Sequence, residues 1–113
     1  EHDYAMELET IDTSSANATL DAAIIGNTLT STGQGLETVH VSALDGTRVC
    51  ADIRNNTIST GSTLDDIGLN DKASSVVELA QASEADLSAS NGGASVFVLD
   101  EQPTYAASCD TPP

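Results

Sequence analysis

Residues 4–11 alternate, with Tyr4, Met6 and Leu8 on one side and Glu7 and Glu9 on the other, the period of two that a half-buried strand requires. Asp12, Thr13 and Ser14 then offer side-chain oxygens for a helix cap. Ala16, Leu20, Ala23, Ile24 and Asn27 follow at spacings of three and four, which predicts a helix ending before Gly33 and Gly35. Alternation returns over residues 36–44 with Val39, Val41 and Ala43 inward, and again with Val49, Ala51 and Ile53. Asp45-Gly46 between these runs has the chemistry of a tight hairpin turn. Residues 55–69 read as a connection, in which Thr63-Leu64-Asp65-Asp66 resembles a capping box for a short helical turn. Ala73, Val76, Val77, Ala80 and Leu87 form one stripe, so residues 71–90 are expected to be helical, with Asn91-Gly92-Gly93 as a left-handed stop. Residues 94–99 make a short strand that is apolar on both faces, and a Pro-containing tail carries Cys109.

The order strand, helix, strand, strand, helix, strand predicts one domain over residues 1–113, an α+β ferredoxin-like βαββαβ sandwich. Four antiparallel strands would form the sheet, with both helices on one face. On this alternation Cys50 shares the uncovered face with Glu7, Glu9, His40 and Phe97. The two cysteines are an even number and neither sits in a CxxC pair, so a Cys50–Cys109 disulfide is expected. It would pin residues 101–113 as a tail across the open face, covering Phe97 and Leu99.

The stretch Leu64-Asp65-Asp66-Ile67-Gly68-Leu69-Asn70-Asp71-Lys72-Ala73-Ser74-Ser75-Val76 supports a second reading. An Asn/Asp pair, two variable residues and Ser-Ser resemble the calcium-binding signature of βγ-crystallin domains. That resemblance implies an all-β Greek-key fold, calcium as ligand, and Asp71 and Ser74 as metal ligands through oxygens suited to a hard cation. In the helical reading the same residues are purely structural, with Asn70 or Asp71 capping the second helix and Asp71 complementing its dipole. Alanine-rich sequence over residues 80–89 favours the helical reading, because alanine has the best helix propensity and is depleted in strands.

Charge narrows the partners. Eighteen acidic residues against three Lys and Arg give a formal net charge of -15, which repels nucleic-acid phosphates and anionic lipid. No run approaches the roughly 20 apolar residues of a membrane span. The start lacks the pattern of an uncleaved signal peptide, so the chain reads as mature. Asn17-Ala18-Thr19 and Asn55-Asn56-Thr57 are glycan acceptor triplets, which with the paired cysteines point to a secreted, extracellular protein.

Catalytic patterns are sparse. His2 and His40 form no HxxxH pair, no GxSxG context surrounds a serine, and no Gly-rich phosphate loop follows a strand. The sequence therefore predicts a non-catalytic monomer without a cofactor, acting on a macromolecular partner. The loop over residues 55–69 and His40, Arg54, Asp65 and Asp66 are its interaction candidates. The split βαβ plan, acidity and secretion are similar to secreted fungal killer toxins and related effectors, which implies a protein of a host or competitor cell as target. A protease-inhibitor-like propeptide module is a further alternative.

Overall fold

The computed structural model describes residues 5–10, 18–31, 37–60, 65–72 and 74–109. Among these residues nine strands and one short helix follow in chain order: β1 (Met6–Thr10), β2 (Thr19–Ile25), β3 (Thr28–Ser31), β4 (Val39–Ala43), β5 (Arg48–Arg54), β6 (Thr57–Thr60), β7 (Ile67–Asp71), β8 (Val76–Leu79), α1 (Glu84–Ala89) and β9 (Val96–Asp100). They form three sheets, ordered β1-β4-β7-β9, β2-β5-β8 and β3-β6, and every pairing is parallel. Consecutive strands belong to different sheets, so the chain winds as a solenoid; the first two coils lay one strand on each sheet, and in the third α1 follows β8 where a strand of the β3-β6 sheet would stand. Thr19 lies beside Arg48, Thr28 beside Thr57, Val39 beside Ile67 and Ile67 beside Val96.

Alternation within each strand supplies the core. Val39, Val41, Ala43, Val49, Ala51, Ile53, Ile67, Leu69, Val77, Leu79 and Leu87 are all buried in one cluster running along the solenoid axis. Burying each of the larger aliphatic side chains contributes about 1.5–3 kcal/mol. Inward residues stack on their equivalents one coil away, as Val41 on Leu69 and Val49 on Val77.

One corner is held by an asparagine ladder. Asn56 donates from Nδ2 to Ile24 O at 2.8 Å and to Asn91 Oδ1 at 2.8 Å, while its Oδ1 accepts from Asn27 N at 2.8 Å. Asn91 Nδ2 donates to Ile53 O at 2.9 Å and Leu87 O at 2.8 Å. These amides satisfy corner backbone groups that the sheets cannot reach, the requirement for any buried polar group.

The ferredoxin-like plan is overturned. Its antiparallel sheet is replaced by parallel ones, and among the described residues its two long helices give way to one six-residue helix. The Greek-key alternative, antiparallel by construction, falls with it. Asp45-Gly46, with φ of 60° and 80°, is a corner rather than a hairpin, since β4 pairs with β1 and β7 while β5 pairs with β2 and β8. Residues 19–25, expected as helix, are β2: Leu20 and Ile24 are four apart, a spacing that satisfies both periods, and Ala22 between them completes a strand pattern. The expected helix over residues 71–90 splits into the end of β7, β8 and α1, because Val76 and Val77 stack on Arg48 and Val49. Ser83 caps α1, accepting from Asp86 N, so the cap is neither Asn70 nor Asp71. The stop at Asn91-Gly92-Gly93 stands, with φ of 71° and 83° at the glycines.

The Cys50–Cys109 disulfide is present, with Cα atoms 5.4 Å apart. Cys50 points outward from β5, between Val49 and Ala51, and is fully buried. The tail it holds follows β8, not the four-stranded sheet: Thr104 N donates to Val77 O at 2.9 Å, Leu79 N to Thr104 O at 2.8 Å and Ala107 N to Leu79 O at 2.9 Å. Phe97 and Leu99 are consequently left 45% exposed instead of covered. Among the described residues no helix is long and apolar enough to cross a membrane.

Candidate functional site

The outer face of the four-stranded sheet brings together residues scattered over ninety positions of sequence. Parallel register places Glu7, His40, Gly68 and Phe97 in one row across β1, β4, β7 and β9, with Glu9, Ser42, Asn70 and Leu99 in the next. His40 Nδ1 lies 3.1 Å from Glu37 Oε1, both side chains being 13% exposed. Glu37 lies over Gly68, where a Cβ would meet its carboxylate, so a side chain at this position of β7 would push Glu37 aside from His40. Two buried polar atoms of this face, Ser42 Oγ and Asn70 Oδ1, have no hydrogen-bond partner. Phe97 and Leu99 project beside this polar ground, and of the large hydrophobic side chains only Ile25 is comparably exposed among the described residues.

Acidic groups gather at the far end of β7 and β9. Asp71 is buried and pairs in register with Asp100, and Glu101 N donates to Asp71 O at 3.1 Å. The Asp71 Oδ2 accepts from Val77 N at 3.2 Å, whereas Oδ1 is buried without a partner. Burial raises the Asp71 pKa above its ordinary value of 3.8; the Val77 amide opposes this, and the charges of Glu101 and Asp100 add to it. Burial also raises the pKa of Tyr105, with a further push from Glu84.

The remaining candidates take separate positions. Arg54 ends β5 on another sheet, exposed and 3.1 Å from Asp52 Oδ2, so it does not join His40. Asp66 is a corner clamp, its Oδ2 accepting from Ser95 N at 3.0 Å, and Asp65 precedes it, half-buried. Asn55 is exposed at a left-handed corner with φ of 59°, while Asn17 lies outside the described residues. Ser74 is exposed with φ of 65° in the turn after β7. Asp21 lies close to Cys50 and Cys109, but the two sulfurs are bonded to each other, so the three do not offer a metal its thiolates.

Sequence reasoning does not single out Glu37, Asp100 or Glu101, and it places Phe97 and Leu99 beneath the tail. The signal for the exposed pair is the strand over residues 94–99 being apolar on both faces, which leaves an outer apolar pair wherever only one face meets a core. No protein-family model matches the chain, and no curated protein or solved structure is significantly similar to it.

Proposed function

We propose that the protein is a secreted, non-catalytic binding protein that engages a macromolecular partner through the outer face of its four-stranded sheet. The observation that carries this reading is the pair Phe97 and Leu99, each 45% exposed on a rigid sheet beside the His40–Glu37 pair. Apolar side chains held out from a rigid element, rimmed by polar groups, are the usual anchors of a protein interface. The disulfide favours an oxidising, extracellular setting. The net charge of -15 favours a partner with a basic surface. The killer-toxin resemblance rests on the split βαβ plan, which the chain does not adopt, so it lends this reading nothing.

The test is retention of labelled protein on intact candidate target cells. The double variant Phe97→Thr, Leu99→Thr should keep the wild-type circular dichroism spectrum and lose retention. Retention unchanged by the two substitutions, or a hydrolase activity abolished by substitution of His40 or a single carboxylate, would overturn the proposal.

A further inference from the structure

The three sheets end differently at the last coil. The last strand of the β2-β5-β8 sheet is covered by residues 104–107 of the tail, held there by the disulfide. The β3-β6 sheet has no third strand among the described residues; Asn91 lies over Asn56 at that level, and Leu87 of α1 is wholly buried in the core. β9, last strand of the four-stranded sheet, has no segment paired to its outer edge among the described residues.

Backbone hydrogen bonds show which groups that edge presents. Ile67 N donates to Ser95 O and Glu101 N to Asp71 O, so residues 95, 97, 99 and 101 turn their backbone groups toward β7. With the period of two, the amides and carbonyls of Val96, Val98 and Asp100 point outward, unpaired. Val96 and Val98 remain half-buried against the core end, and Phe97 and Leu99 are exposed on the outer face. An added strand would complete both faces at once. A depression of about 430 Å³, lined by Glu84, Ser88, Ser95 and Val96 among others, opens between α1 and the start of this edge. Carboxylates stand at both ends of the β9 edge, Glu84 lining the depression beside Val96 and Asp100 and Glu101 closing the strand.

The geometry points to the free edge of β9 as a strand-accepting site for an extended basic segment of a partner protein. The segment would add as a fifth strand, with alternate apolar residues over Val96 and Val98 and basic residues at its two ends. This inference rests on the binding reading above and names the partner's chemistry. Main-chain pairing supplies affinity in such strand addition, and the pockets for alternate side chains supply specificity. A second copy of this chain is the poorer occupant. Its other edge strand, β1, unpaired on the outside among the described residues, carries Glu7 and Glu9, and each copy brings a net charge of -15.

The probe is a synthetic peptide, Lys-Val-Thr-Val-Thr-Val-Lys, against a control with glutamate replacing both lysines, each titrated into the disulfide-intact protein at low salt. Binding of the first should protect the amides of Val96, Val98 and Asp100 from hydrogen exchange. It should weaken roughly tenfold or more in Asp100→Asn, Glu101→Gln, which alters only exposed side chains, and again on raising salt from about 0.05 to about 0.5 M. Val98→Pro, which removes an outward amide while leaving the bonds to β7, should abolish it, its melting curve showing that the fold persists. Equal binding of the acidic control, binding unaffected by both variants, no binding of the basic peptide, or self-association occupying this edge would each overturn the inference. If the peptide fails while Phe97 and Leu99 still govern retention on cells, the face reading stands and the edge reading falls.

Discussion

Asn56 connects three coils through one side chain, so its removal should cost more than its size suggests. Asn56→Ala takes the side-chain partner from Ile24 O and Asn27 N and leaves Asn91 Oδ1 with the Asn56 backbone amide alone, and we expect about 2–3 kcal/mol of lost stability in denaturant unfolding. Asn27→Ala, at the half-buried end of the ladder, should cost about 1 kcal/mol. Asp71 sets a pH dependence of the opposite kind to most carboxylates. Its folded pKa lies above the unfolded value, so the native state binds the proton more tightly. That contribution is present at pH below about 3.8 and is lost as pH rises through the folded pKa. Asp71→Asn should remove this loss, so the stability difference, variant minus wild type, grows across that window and then levels off. A difference independent of pH would show that Asp71 titrates normally. At this scale the sequence is only half legible: Asp71 stands out in it, as a cap or a calcium ligand, whereas the asparagines read as sequons and stops because their partnership is visible only through the coil spacing.

The tail is an element whose order depends on one covalent bond. Reducing the disulfide, or Cys50→Ser, releases a constraint spanning 59 residues, for which chain entropy gives about 4 kcal/mol. Hydrogen exchange should show the amides of Leu79, Thr104, Ala106 and Ala107 losing protection first, since their hydrogen bonds join the tail to the body. Loss of protection in β4 before the tail would contradict this. The individual strands around Val39, Val41, Val49 and Ile53 are readable because inward and outward residues alternate there. The pairing is not. A short corner such as Asp45-Gly46 carries the same residues whether the chain folds back or turns onto a new sheet, and local chemistry does not separate the two. The deciding signal is distant: Ala22, Ile24, Asn27, Thr28 and Leu29 match Ala51, Ile53, Asn56, Thr57 and Ile58 one coil later.

Across the whole molecule, each coil touches only its neighbours, so position along the axis should grade the effect of equivalent truncations. Leu69→Ala, in an inner coil and 1% exposed, should cost about 3 kcal/mol, and Leu8→Ala, half-buried in the first coil, nearer 1 kcal/mol by chemical denaturation. The net charge of -15 acts on the molecule as a unit, and screening its self-repulsion should raise the melting temperature as salt increases from about 0.05 to about 1 M.

The constant step between coils has a further consequence for how this chain can change. A residue of β4, β5 or β7 meets the same kind of neighbour above and below, so a whole turn of the winding is interchangeable stock rather than a unique part. Duplicating residues 38–66 in tandem, with the first copy's cysteine replaced by serine so that one partner for Cys109 remains, should therefore thicken the molecule by one rung, about 4.8 Å, with the tail and its disulfide still closing the same end. Such a protein would grow along a single axis, as a stack grows, with no new core to invent.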